Sequence, residues 1–229
     1  MKCPICGGKA KRLIAHREWE GFLWQCQRRV CQHVAFPGDP ELGKGIPFTT
    51  KVGRANFFVE VLRDFYSKSL LDFGAPEDLI FLKKLKGVGK IPLLYGYSPT
   101  PISQAEGILT YSGEEKLPLF RVFFSTHTLE HIPIPELDRF RRLLSSSTDY
   151  IVEAPIYRLK WYGSLAVNGE LRTSYHYQFF TFQSFKLFFT SLHLTPRFFM
   201  KKRGISNFVC CAVGGGIPYE RFGSDYARV

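Results

Sequence analysis

The 229-residue sequence has no apolar run of the ~18–20 residues that a membrane-spanning helix needs. Its first residues, MKCPICGG, lack the apolar stretch of a secretory signal peptide. Together these absences predict a soluble cytoplasmic protein. No internal repeat is visible, so the length predicts one main domain with a small appendage. Long runs of Lys or Arg are also missing, although the net charge is +11. Glycine is absent where it would be most telling. After Leu70-Leu71-Asp72-Phe73-Gly74, positions that would let a backbone approach a ligand hold Ala75, Pro76, Glu77 and Asp78.

What is present is unevenly spread. Residues 1–69 carry 12 basic against 6 acidic side chains, residues 70–150 carry 9 against 10, and residues 151–229 carry 10 against 4. Two basic ends flank a near-neutral middle. That pattern suits either a plain basic protein or one with an anionic partner such as nucleic acid. Hydrophobic content is 45%, ordinary for a globular chain, and aromatic content is 16%, mostly from 22 Phe.

Four of the six cysteines fall within the first 31 residues, as Cys3-x2-Cys6 and Cys26-x4-Cys31, with 19 residues between the pairs. Two close pairs separated by a hairpin-sized gap suit tetrahedral zinc, each pair on a turn that aims two thiolates at one point. Gly7 and Gly8 follow the first pair, where such a turn needs positive φ. Trp19, Phe22, Leu23 and Trp24 can supply short strands between the pairs. The expected metal ligands are Cys3, Cys6, Cys26 and Cys31, with His33 an alternative to Cys31 and His16 a weaker substitute. A closed four-thiolate shell leaves no open position, so the expected zinc is structural. Cys210 and Cys211, in FVCCAV, read as buried strand residues.

Residues 1–36 therefore read as a zinc-ribbon module and 37–53, rich in Gly and Pro, as a linker. Residues 54–68 show helical spacing of Phe57, Phe58, Val61, Leu62 and Phe65. Strand and helix signals then alternate: SLLDFG, a helix opened by Pro76 and its acids, KIPLLYGYSP, a short helix over 101–107, GILTYS, PLFRVFFSTH, the helix IPELDRFRRLLSS and DYIVEAP. Such alternation predicts an α/β fold, a mostly parallel sheet with helices on both faces. Residues 156–176 interrupt the rhythm and read as a substrate loop. Thr181 caps a further helix, two strands close the domain near residue 216, and residues 217–229 read as an irregular tail.

The segment FFSTHTLEHIPIPELDRFRRLLSSSTDYIVEAP, through Leu129-Glu130-His131-Ile132, Pro135 and Glu153-Ala154-Pro155, resembles class I S-adenosylmethionine-dependent methyltransferases, in particular a group with an N-terminal zinc-knuckle module. HYQFFTFQSFKLFF, through His176, Phe179, Phe180, Thr181 and Ser184, is similar to the same family's entry into its penultimate helix. The likeness covers roughly residues 50–214. It implies a Rossmann-like sheet, S-adenosylmethionine as cofactor, structural Zn2+ in the N-terminal module, and methyl transfer to a hydroxyl or carbon of a small, sugar- or polyketide-like acceptor. It implies cofactor contacts at Asp72, Gly74, Tyr97, Ser125 and Thr126, catalytic roles for His127, His176 and Glu130, and acceptor contacts at His131, Glu153 and Tyr157.

The chain departs from the family at three cofactor-facing places. The glycines after Gly74 are replaced, Tyr97 stands where an acid would hold the ribose, and Phe120-Arg121 stands where Phe-Asp is usual. Two readings follow: an enzyme with altered cofactor contacts, or a methyltransferase fold that serves as a binding scaffold, its basic ends docking on RNA or another anion. His127-x-x-Glu130-His131 also matches a zinc-protease pattern, but Pro133 and Pro135 forbid the continuous helix that chemistry requires. In some quinone-type O-methyltransferases this loop holds a divalent cation. Those enzymes have an acid where His127 stands here, and the alternative reading is that Glu130 and His131 orient the loop by hydrogen bonds beside the cleft.

Overall fold

The computed structural model of the chain describes residues 1–15, 20–39, 52–113, 116–157, 176–203, 207–223 and 226–229. Three short strands come first: β1 (Ala10–Ala15), β2 (Phe22–Cys26) and β3 (Val34–Ala35). Then follow α1 (Val52–Leu62), β4 (Ser69–Phe73), α2 (Ile80–Val88), β5 (Leu93–Ser98), β6 (Ile108–Ser112) and β7 (Val122–Thr126). Two 3-10 turns lead into α3 (Leu137–Ser146) and β8 (Asp149–Tyr157). The chain closes with β9 (Gln178–Phe179), α4 (Phe182–Thr190), β10 (Arg197–Arg203), β11 (Asn207–Gly214), a 3-10 turn at Tyr219–Phe222 and β12 (Ala227–Arg228).

The expected α/β architecture is present. Eight strands form one sheet in the order β12-β10-β11-β8-β7-β4-β5-β6. Strands β4 to β8 run parallel, and β11 lies antiparallel between β8 and β10. Every residue of β4 is buried, as expected of a central strand covered on both faces. Alternation divides its side chains between two cores. Leu70 packs with Val122, Phe124, Phe58 of α1 and Leu82 of α2. Leu71 and Phe73 pack with Phe123, Phe140 of α3 and Phe188 of α4. The chain leaves β4 towards β5 and β6, then crosses to β7 on the other flank. That reversal makes the carboxyl ends of β4 and β7 a topological switch point, where ligands of such sheets bind.

Three local expectations are corrected. The helix after β4 starts at Ile80 and not at Pro76. Pro76 O accepts from Leu79 N–H, Asp78 Oδ1 accepts from Ile80 N–H, and Leu79 adopts φ 51°. Leu79 is fully buried, and that burial outweighs a left-handed cost of about 1–2 kcal/mol. Residues 101–107 form no helix; Ala105 makes an isolated bridge to Ile108. The C-terminal segment is not irregular. Ile217, Phe222 and Tyr226 are buried in the core under α1, and β12 pairs with β10. Its aromatic side chains have no regular period, so only tertiary packing orders it.

The cysteine module is not a free-standing appendage. Its sheet has the order β1-β2-β3-β9, so one strand comes from the main domain. Arg141 of α3 donates to Pro4 O, and Thr181 donates to Cys31 O while also capping α4. Most of the expected linker, residues 40–51, and most of the expected substrate loop, residues 158–175, lie outside the described residues.

Candidate functional site

The end of β4 forms one side of the switch-point crevice. Gly74 has φ +86°, and its N–H and that of Ala75 both donate to Tyr97 O at 2.8 Å. This turn brings Gly74 against the loop after β7: a Cβ built there would lie 2.1 Å from Thr128 Oγ1 and 2.3 Å from its Cγ2. Gly74→Ala is therefore expected to cost roughly 2–4 kcal/mol, from the clash and the left-handed backbone together. The same change in a Thr128→Ala background should cost less, as urea midpoints would show. Asp72, one strand position inward of Phe73, is buried; that burial, with the Asp78 charge nearby, pushes its carboxyl up to about 8.

Tyr97 is held away from a ribose-binding role. Its hydroxyl donates to Gly113 O at 3.0 Å and accepts from Arg139 at 2.9 Å. The Arg139 guanidinium lies over the Tyr97 ring at 4.7 Å, and Phe73 stacks on that ring. A phenol so engaged does not replace a bidentate carboxylate. The Tyr97 hydroxyl, like the Gly74 and Ala75 N–H groups, is thus already engaged, and Asp72 is the carboxyl at this strand end. Ser125 is fully buried on β7, and among the described residues its Oγ has no hydrogen-bond partner; Thr126 ends the strand.

The other side is the loop after β7. His127 takes φ 52°, held there by its N–H donating to Glu153 O at 3.0 Å. This left-handed residue turns the chain into the 3-10 turn Leu129–His131. The His127 ring is thereby placed between two buried carboxylates, with Nδ1 3.2 Å from Glu130 Oε1 and Nε2 3.4 Å from Glu153 Oε2. Glu153 is further held by Arg54 Nε at 3.2 Å and by the Tyr226 hydroxyl, which donates to it. Glu153, expected as an acceptor contact, sits 1% exposed against His127.

Glu130 is also fully buried, and among the described residues neither carboxylate oxygen has a hydrogen-bond partner. The 3.2 Å contact with His127 Nδ1 is at ion-pair distance. Burial alone would raise the Glu130 pKa. The adjacent His127 and the charges of His131 and His176 more than offset it and hold the carboxyl at about 2. Ligating atoms of Glu130, His131 and His176 all lie within 4.8 Å of one another. The His131 and His176 rings meet edge to face at 4.6 Å, and His176 Nδ1 lies 2.9 Å from Tyr157 OH. An ionised buried carboxylate beside two imidazoles is a donor set that fits a divalent cation.

The sequence thus points to six residues that the fold brings together: His127, Glu130, His131, Glu153, Tyr157 and His176. It gives no signal for Arg54 or Tyr226, which arrive from α1 and from the C-terminal segment, or for Thr128 and Arg139.

The four cysteines of the module converge separately. Their Sγ atoms lie within 4.8 Å of one another, with Cys3–Cys31 at 3.8 Å and Cys6–Cys26 at 3.5 Å. Tetrahedral thiolates at a Zn–S distance of ~2.3 Å stand ~3.8 Å apart, so the cluster fits zinc. Cys31 belongs to it. His33 instead faces Gln178, with Nε2 2.8 Å from Oε1, and His16 lies outside the described residues.

No protein-family model matches the chain, and no curated protein matches it. Solved structures do. The small RNA methyltransferase HEN1 superposes with a TM-score of 0.54 at 14% identity, over 77% of this chain and 26% of that one. The YcgJ protein from Bacillus subtilis superposes at 0.52 and 9% identity, over 72% of this chain and 99% of that one. Human N-acetylserotonin methyltransferase, solved with SAM, aligns at 0.48 and 14% identity over 71% of this chain. The chain spans 51% of that enzyme and about a quarter of HEN1. The fold is shared with a methyltransferase.

Among the described residues no helix is long and apolar enough to cross a membrane.

Proposed function

We propose that this chain is an S-adenosylmethionine-dependent methyltransferase acting on a hydroxyl or carbon of a small, sugar-like acceptor. One observation supports this above the others. The crevice places Asp72 and Gly74 at one strand end and the His127–Glu130–His131–His176 group at the next, with Thr128 packed between them. When bound, the cofactor supplies a methyl group on a sulfonium. The chain's own residues hold the acceptor in line and take the proton of a hydroxyl acceptor, His176 or His131 being the candidate bases. His127, fixed between two carboxylates, orients Glu130 and does not face the acceptor as a base. If a divalent cation were held by Glu130, His131 and His176, those imidazoles would serve as ligands instead of bases, and Lewis acidity at the acceptor oxygen would take over that role.

Calorimetry tests the proposal. S-adenosylmethionine or S-adenosylhomocysteine should bind with a micromolar to sub-millimolar constant. No heat up to millimolar ligand would leave only the fold. Glu130→Gln should keep cofactor binding and lower turnover by about 10²-fold or more.

A second reading is favoured by the module surface. Lys2, Lys9, Lys11, Arg12, Arg28 and Arg29 are exposed, and Arg12 lies 4.8 Å over the exposed Phe22 ring and 5.6 Å over Trp24. Cations interleaved with aromatics suit single-stranded RNA as a docked partner. A gel shift that strengthens as salt is lowered would support it; none at low salt would remove it.

A further inference from the structure

The cysteine module and the Glu130–His131–His176 group share one stretch of chain, residues 176–181. On the module side, β9 pairs antiparallel with β3, Phe36 N–H donates to Tyr177 O at 2.8 Å, and Thr181 Oγ1 donates to Cys31 O at 2.9 Å. On the other side, Tyr177 N–H donates to Glu130 O at 2.8 Å. Gln178 touches both. It is fully buried, its Nε2 donates to Ile132 O at 3.0 Å, and its Oε1 lies 2.8 Å from His33 Nε2. Because the amide nitrogen must face the Ile132 carbonyl, Oε1 can only accept. His33 therefore carries its proton on Nε2.

We propose that Gln178 and His33 are positioning residues through which the zinc-loaded cysteine module sets the geometry of the Glu130–His131–His176 group. The path is short. The module fixes His33 and β3; these fix Gln178, which is two residues from His176 and bonds the residue after His131. Removing the Gln178 amide leaves Ile132 O and His33 Nε2 without these bonds and shifts both flanking segments. The module is then part of the scaffold of the crevice and not only a stabilising cap. The purpose of this arrangement rests on the methyltransferase reading, but its geometry does not, and the test measures geometry.

The full-length, zinc-loaded chain is compared with the chelated chain and with Gln178→Leu by hydrogen exchange and by NMR of the imidazole rings. On chelation the Tyr177 and His131 amides should lose protection by about tenfold or more, while Leu71 and Phe123 in the central sheet keep theirs. Gln178→Leu should retain one zinc and a protected central sheet, yet move the ring resonances of both His131 and His176. Unchanged Tyr177 protection without zinc, or unmoved His131 and His176 rings in Gln178→Leu, overturns the proposal. A failure to bind S-adenosylmethionine would leave these outcomes unaffected and would count against the methyltransferase reading alone.

Discussion

Cys26→Ser is expected to release the metal, lower the melting temperature by about 10 °C or more and open the N-terminal module. Three arguments converge on that size. The module has only a small apolar core of Leu23, Val34 and Phe36 with Tyr157, Tyr177 and Phe179 from the main domain. A segment of fewer than ~40 residues buries too little surface to stand without a cross-link or metal. Without a metal, the four thiols also repel any fully ionised state. Burial raises Cys26 to about 11, and the bond to Cys3 raises Cys31. A zinc ion removes those protons and converts the crowding into bonding worth on the order of 10 kcal/mol in small zinc modules. Docking on β9, α3 and α4 retains part of the structure, so the observed loss should be several kcal/mol; a chain of this length shifts by about 2–4 °C per kcal/mol. Elemental analysis should find one zinc per chain in the parent and none in the variant, and calorimetric melting gives the shift. Cys210→Ala is the control. It lies in β11 away from the cluster and should keep the zinc, at a cost of about 1–2 kcal/mol. Zinc retained in Cys26→Ser at full stability would exclude the cluster as a structural metal site.

The parts of this molecule that sequence made legible are those where a local pattern and the tertiary role coincide. β4 and β7 are mostly apolar because both faces of the sheet are covered. Thr181 announces its helix because its hydroxyl caps the N-terminus and Ser184 completes the capping box. Leu129-Glu130-His131 is visible because Pro133 and Pro135 follow it at once and bar a continuous helix. What stayed hidden depends on pairings between distant residues. Nothing around Gln178-Phe179 marks a two-residue strand that joins β3. Arg54 sits in a plain amphipathic helix, and Tyr226 in a Gly- and Pro-containing segment, yet both converge on Glu153. The start of α2 was misplaced for a related reason. Pro76, Glu77 and Asp78 are good first-turn residues, but burying Leu79 required a left-handed step before the helix could begin. Tyr97 illustrates the reverse case. Its strand position was correct, and its hydroxyl was captured by Arg139 and Gly113, neither of which the local sequence ties to it.

Asp72→Asn should have opposite effects on stability and on ligand binding. The carboxyl is buried, and burial raises it to about 8 from an ordinary value of 3.8. A native state that holds a proton the unfolded chain releases is stabilised below the unfolded pKa. That contribution declines as pH rises from about 4 to about 8 and is fully lost above. The ceiling of the effect is on the order of 5 kcal/mol, at about 1.4 kcal/mol per unit. Urea denaturation of the parent should therefore show stability falling between pH 5 and pH 8. In Asp72→Asn the neutral amide removes this slope, and at pH 8 the variant should be the more stable by a few kcal/mol. A parent curve flat over that range would mean the carboxyl is ionised throughout. A central strand does not retain such a destabilising group for packing, because Asn or Leu would serve better there. The retention makes sense if a cationic ligand group sits beside it and offsets the desolvation. On the proposed function that group is the cofactor's ammonium. The variant should then bind S-adenosylmethionine at least about tenfold more weakly, and binding to the parent at pH 7 should release a proton, which calorimetry in two buffers of different ionisation enthalpy detects. Stronger folding with weaker binding in a single substitution separates a functional carboxylate from a structural one; stronger folding with unchanged binding would assign Asp72 to neither the cofactor nor the crevice.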